Sequence, residues 1–350
     1  MKAKLFIALS LFIFVLAGLV SCKKDDTPAN LKHYTSGVFV VNQGKFGGTG
    51  SITWYDPASG ETVQDVFGRA NGNAVLGEFA QSLTLHNGRG YIVVNGANKI
   101  YVVDAETMQF QDSIGGLTLP RYLLPLDNDL ALVSQWGTNG LDGRVVKIDL
   151  RTLKPIQTGK TGNGPEKMIR QADGLVAVPN SGGFGVDSSV SILNPNTLDE
   201  VSRTIVPDKN PSVAALALLP GNPASPGTFI YCAGSFLDAT PQGWVGSLSP
   251  GAGISHTTPP YGYDLVASPD GKTLYFAGNG NIYALDGSGL RVLFQQPAYG
   301  LACDPKTGYL YCADAKSFDS AGEVVIYKPD GTKIGSFSTG IGPGQMVFIP

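Results

Sequence analysis

Residues able to hold a ligand are plentiful in this sequence, whereas residues spaced for covalent chemistry are scarce. No nucleophilic triad, glycine-rich phosphate loop or zinc-ligand spacing occurs, and the only histidines are His33, His86 and His256. So few imidazoles argue against a metal cluster, and each reads as solvated or locally bonded. No EF-hand-like spacing is present either, although calcium held by loop carbonyls stays compatible with the sequence. Glu78, Glu166 and Asp264 are the carboxylates that could do acid–base work if the fold brought them together.

A second group suits non-covalent recognition. Gly-, Asn- and Ser-rich segments carry aromatics: 42–51 with Phe46, 135–144 with Trp136, 180–189 with Phe184, 234–244 with Phe236 and Trp244, and 314–323 with Phe318. Polar and aromatic side chains also stand just ahead of β-rich runs: Glu78, Phe79 and Gln81; Arg121 and Tyr122; Glu166 and Lys167; Tyr261, Tyr263 and Asp264; Tyr299; Gln345. Aromatic surface interspersed with amides and charges suits a large, amphipathic, partly planar ligand. One such aromatic alone would more simply pack against a neighbouring element; several on one face make a binding surface. The ligand-binding set expected is Phe46, Gln81, Arg121, Trp136, Glu166, Phe184, Phe236, Tyr263, Tyr299 and Phe318, with no catalytic residue, metal or cofactor.

What could gather these residues is a repeat. From Gly37 onward the chain alternates an apolar strand, a Gly/Asn-rich loop, a second β-rich strand and a polar turn. The turns align at Asp56-Pro57, Asp104-Ala105, Asp149-Leu150, Asn194-Pro195, a weak Ser249-Pro250, Asp286-Gly287 and Pro329-Asp330. Their period of about 45 residues, with some four strands each, is that of a β-propeller. Asp and Asn suit such turns because their side chains bond the backbone two residues on. The clearest unit has strands at 82–86, 91–95, 99–104 and 110–114, and its Tyr91-Ile92-Val93-Val94 run reads as a strand covered on both faces. No helical periodicity is evident after the N-terminal segment. The tail Gly344-Gln345-Met346-Val347-Phe348 matches the innermost-strand phrase, and Gly37-Val38-Phe39-Val40-Val41 matches the second-strand phrase. The expected fold is therefore an all-β, seven-bladed β-propeller of four-stranded antiparallel blades, closed by pairing of the C-terminal strand with the N-terminal strands. An open solenoid is the alternative, but solenoids carry dedicated caps.

Residues 1–21 read as an export address. Lys2 and Lys4 precede an apolar run of about 16 residues, shorter than the roughly 20 of a spanning helix. Leu19-Val20-Ser21-Cys22 closes it and resembles a lipobox, which implies that Cys22 becomes the lipidated first residue. Residues 22–36 read as a flexible tether and 37–350 as the propeller. Lys23-Lys24-Asp25-Asp26 resembles the surface-export signal of Bacteroidota lipoproteins, placing the chain on the outer membrane facing the exterior, held to the membrane only by its lipid. A formal net charge of -3 gives no reason to expect a nucleic-acid partner. Cys232, Cys303 and Cys312 read as small buried apolar residues, a Cys303–Cys312 disulfide being the alternative.

Gly37-Val38-Phe39-Val40-Val41-Asn42-Gln43-Gly44 with Trp54-Tyr55-Asp56, and Gln81-Ser82 with Tyr91-Ile92-Val93-Val94-Asn95 and Lys99-Ile100-Tyr101-Val102-Val103-Asp104, resemble the YncE-like surface lipoproteins of Bacteroidota. The resemblance covers nearly the whole mature chain and is weakest at 222–260. It implies a relation to the BtuG-like branch, seven-bladed propellers that capture cobalamin (vitamin B12) and pass it to a TonB-dependent outer-membrane transporter. No short motif fixes corrinoid-contacting residues onto this sequence. A glycan- or protein-binding surface propeller, and a lactonase-like or quinoprotein-like enzyme, are the alternatives.

Overall fold

The computed structural model describes residues 31–205 and 264–350 in full, and strands at 212–218, 229–234, 243–248, 254–257 and 262–263 by their backbone alone. The signal segment, Cys22, Phe236 and the 258–261 stretch with Tyr261 lie outside the described residues; Cys232, Trp244, His256 and Tyr263 are placed only by their strands.

The strands pair into four-stranded antiparallel sheets, the blades of a β-propeller. In chain order, the first sheet runs Pro343–Phe348, Val38–Asn42, Ser51–Tyr55 and Thr62–Val63. The second runs Ala80–His86, Arg89–Val94, Lys99–Asp104 and Phe110–Ile114. Pro120–Pro125, Leu130–Gln135, Arg144–Asp149 and Lys154–Lys160 form the third. Ile169–Arg170, Val176–Pro179, Ser189–Leu193 and Glu200–Ile205 form the fourth. The sixth runs Gly262–Ala267, Leu274–Gly278, Asn281–Asp286 and Gly289–Gln295, and the seventh Gly300–Cys303, Leu310–Asp314, Ala321–Tyr327 and Lys333–Ile341. These six blades are described with side chains. The fifth sheet of the chain, Ser212–Leu218, Phe229–Gly234, Gly243–Leu248 and Ile254–Thr257, is described through strand pairing alone. Against an expected count of seven, side-chain packing is thus given for six.

Innermost strands adjoin one another: Pro343–Phe348 lies beside Ala80–His86 on one side and Gly300–Cys303 on the other. Pro343–Phe348 also registers antiparallel with Val38–Asn42, Val40 opposite Met346. Apolar side chains fill the spaces between sheets. Phe39, Val41 and Ile52 meet Leu83, Ile92 and Val94 between the first and second; Tyr91, Val93 and Val102 meet Leu123, Val133 and Val146 between the second and third. A fully buried Val or Ile contributes roughly 1.5–3 kcal/mol, so these contacts hold neighbouring blades together. The Asp turns behave as their composition requires: Asp104 Oδ1 accepts from the N–H of Glu106 and Thr107, and Asp149 Oδ1 from those of Arg151 and Thr152. These backbone donors hold the Asp149 carboxyl below its ordinary pKa.

Two expectations are corrected. A one-turn helix, Val66–Ala70, interrupts the all-strand pattern; Asp65 caps it in a left-handed conformation, and Val66 and Phe67 bury against the first sheet. The tether does not extend to Ser36: Tyr34 is buried against the rings of Phe39 and Trp54, and Trp54 Nε1 donates to the Ser36 carbonyl. The free-thiol reading of Cys303 and Cys312 holds and the disulfide alternative does not form: Cys303 stands opposite Leu310 and Cys312 opposite Leu301.

Candidate ligand-binding site

Three of the expected site residues hold equivalent places where the chain enters successive innermost strands, Gln81 and Arg121 within theirs and Glu166 ahead of Ile169–Arg170. Gln81, Arg121 and Glu166 each stand two residues after a left-handed backbone position, Phe79 (φ 56), Leu119 (φ 50) and Gly164 (φ 63). Such conformations are costly for Phe and Leu and concentrate at functional sites. They bring the three side chains together on the inner rim of one face, where the loops between second and third strands also end.

Arg121 is the centre of that rim. Its Nε donates to Glu166 Oε2 at 3.0 Å and its Nη2 to Glu166 Oε1 at 3.1 Å, a two-pronged pair between the third and fourth sheets. Nη1 donates to Gln81 Oε1, reaching the second sheet. The guanidinium lies 4.3 Å from the centre of the Trp136 ring, the geometry of a cation–π contact. Glu166 Oε1 also accepts from Trp136 Nε1 at 3.2 Å and Ser181 Oγ at 3.1 Å. The side chains of Arg121 and Glu166 are 16% and 8% exposed. Burial disfavours the Arg121 charge, but the Glu166 carboxylate together with Tyr122 and Tyr299 outweighs it, so the guanidinium pKa lies above its ordinary value. Beside it Tyr122, whose hydroxyl accepts from Gln81 Nε2 at 3.1 Å, is pushed up by burial and by the Glu166 and Asp264 carboxylates. The rim therefore presents fixed, satisfied charge.

Exposed aromatics border this polar centre. Phe184, 69% exposed, meets Trp136 edge to face at 5.4 Å. Phe46, 88% exposed, meets Phe79 at 6.1 Å. Phe318 lies edge-on to Tyr299 at 4.9 Å, and the Tyr299 hydroxyl donates to Gln43 Oε1 at 3.1 Å. Thus Gln81, Arg121, Trp136, Glu166 and Phe184 form one network, Tyr299 packs against Phe318 and acts on the Arg121 charge, and Phe46 joins the rim through Phe79. Phe236 lies outside the described residues, and Tyr263 is placed by its backbone only. The three carboxylates considered for acid–base work do not converge on one another through contacts. Glu78 accepts from the Gly47 N–H, Glu166 is held by Arg121, and Asp264 accepts from the N–H groups of Leu265 and Leu301. Burial raises the Asp264 pKa above the usual carboxylate value. Among the described residues no group of three His, Cys, Asp or Glu is placed to hold a metal.

Ser181 and Gln43 escaped the sequence reading, being common residues in Gly-rich loops. Their shared signal is the Asn-x-Gly step that each occupies, Asn180-Ser181-Gly182 and Asn42-Gln43-Gly44.

Residues 36–216 match the family described as a domain of unknown function, DUF5074, which spans just over half of the chain. The chain belongs to this family. No curated protein matches it. Solved structures share the fold of this DUF5074 protein. A quinoprotein alcohol dehydrogenase-like protein from Bacteroides thetaiotaomicron VPI-5482 is 18% identical with a TM-score of 0.64, over 91% of this chain and 79% of that one. A functionally unknown protein from Desulfotomaculum acetoxidans DSM 771 is 12% identical with a TM-score of 0.64, over 89% and 98%. Kuenenia stuttgartiensis hydrazine synthase is 16% identical with a TM-score of 0.60, over 77% and 91%. At these identities the likeness is one of β-propeller fold, and the site of the DUF5074 protein must be argued from its own residues.

Proposed function

We propose that this DUF5074 protein is a binding protein that captures a small amphipathic molecule on the rim around Arg121 and does not turn it over. The observation that carries the reading is the Gln81–Arg121–Glu166–Trp136 cluster, drawn from three sheets and flanked by exposed phenylalanines. A site of this kind offers fixed hydrogen-bonding groups beside apolar faces, the usual make-up of small-molecule sites. The carboxylates are engaged by other groups, which favours recognition over acid–base chemistry.

The resemblance to YncE-like surface lipoproteins, and to their BtuG-like branch, supplies the ligand we favour, cobalamin. With it go a lipid anchor at Cys22, a position on the outer membrane facing outward, and delivery to a TonB-dependent transporter. In this reading the seven sheets form one ring closed through the pairing of Pro343–Phe348 with Val38–Asn42, so that a single rim serves a single ligand.

Calorimetric titration with cyanocobalamin tests the proposal. Saturable binding with the corrinoid recovered intact is the expected result. No heat and no thermal shift with several corrinoids would remove cobalamin, and hydrolysis in a lactone screen would remove the non-enzymatic reading.

A further inference from the structure

The first and fourth sheets carry the same extended phrase. Thr161-Gly162-Asn163-Gly164-Pro165 leads into the fourth sheet as Thr339-Gly340-Ile341-Gly342-Pro343 leads into the first, with Met168 and Met346 three residues further on. The loop that follows the next strand matches as well, Asn180-Ser181-Gly182-Gly183-Phe184-Gly185 against Asn42-Gln43-Gly44-Lys45-Phe46-Gly47. The structure repeats with the sequence. The N–H groups of Ser181 and Gly182 donate to the carbonyls of Gly164 and Asn163, and those of Gln43 and Gly44 to the carbonyls of Gly342 and Ile341. Asn180 Nδ2 donates to Ser189 and Ser191 hydroxyls, and Asn42 Nδ2 to those of Ser51 and Thr53. Gly164 and Gly342 share a left-handed φ of 63 and 66. Each copy ends in an exposed phenylalanine, and each phenylalanine leans on an aromatic of another sheet, Phe184 on Trp136 and Phe46 on Phe79.

Between the two rings the contacts are continuous. Phe46 touches Phe79; two residues on, Gln81 holds Arg121; Arg121 holds Glu166 and covers Trp136; Trp136 supports Phe184. An arc from the first sheet to the fourth is thus apolar at both ends and hydrogen-bonding in the middle. The buried Arg121–Glu166 ion pair lies between the two rings, where one ligand spanning the arc would meet it.

We propose that the Phe46 and Phe184 loops are the two arms of one clamp, holding a single organic ligand with apolar flanks and hydrogen-bonding groups between them. The inference rests on the binding function proposed above and adds to it the stoichiometry and the two contact ends. Both rings are exposed, so replacing them leaves folding intact, which an unchanged melting temperature verifies. Calorimetry on the full chain with cyanocobalamin should give a stoichiometry of one. Phe46→Ala and Phe184→Ala should each weaken binding by about tenfold, the scale of an aromatic contact, and the double variant by more than either. A wild-type stoichiometry of two that drops to one in either single variant would replace the clamp with two separate sites. Unchanged affinity in either variant would remove that arm and the clamp with it, while leaving the binding function standing. An absence of binding by the wild type would instead overturn cobalamin capture and this clamp together.

Discussion

The loops that end at Phe184 and Phe46 share their backbone hydrogen bonds and differ in what stands beneath the exposed ring. Below Phe184 lie Trp136, Glu166, Ser181 and Arg121, joined by hydrogen bonds and ring contact, the Arg121 and Glu166 side chains largely buried. At the place of Glu166 the first sheet has Gly344, whose Cα faces Gln43 and Tyr299. Phe46 rests on Phe79, and the Tyr299 hydroxyl donates to Gln43 in the same loop. One arm is therefore built on a desolvated ion pair and the other on neutral contacts. The difference teaches that a repeated loop can keep its backbone geometry while one acid at a single position gives one copy an ion pair that the other lacks.

The largest expected effect tests this asymmetry. Arg121→Ala strands the Glu166 carboxylate in a mostly buried position and should lower stability by about 3 kcal/mol. Gln43→Ala, which removes the neutral partner of Tyr299, should lower it by about 1 kcal/mol. Urea denaturation of the two variants measures both. Equal losses would mean that the ion pair adds nothing beyond an ordinary hydrogen bond.

A smaller effect tests the equivalence rather than the difference. Asn42 and Asn180 are each fully buried, donate to two hydroxyls and leave their Oδ1 without a partner. Asn42→Ala and Asn180→Ala should therefore cost similar amounts, about 1–2 kcal/mol each. Losses that differ by more than the measurement error would confine the likeness of the two loops to their sequence.

Much of this molecule could be read from the sequence where local chemistry decides. The strand-ending Asp and Asn residues announce their turns, because a short acceptor side chain bonds the next backbone donors wherever it sits, as Asp104 and Asp149 do. Gln81, Arg121 and Glu166 could be picked out because polar residues ahead of an apolar strand have few other places to go. Their bonding to one another could not, since it follows left-handed backbone positions at Phe79 and Leu119 that nothing local in the sequence announces. Tyr34 looked like part of a tether because the residues flanking it, Lys32, His33, Thr35 and Ser36, are polar; its partners Phe39 and Trp54 meet around it only once the first sheet has formed. Ser181 and Gln43 stayed hidden for a related reason, because a loop Ser or Gln acquires a role only from the group the fold sets opposite it.

The central claim is that one ligand lies on the arc from Phe46 to Phe184 with Arg121 beneath it. A crystal structure of the full chain grown with cyanocobalamin tests this most directly. Density for one corrinoid touching both phenyl rings, over an intact Arg121–Glu166 pair, is the result expected. A corrinoid bound on the opposite face, or touching one ring only, would contradict it.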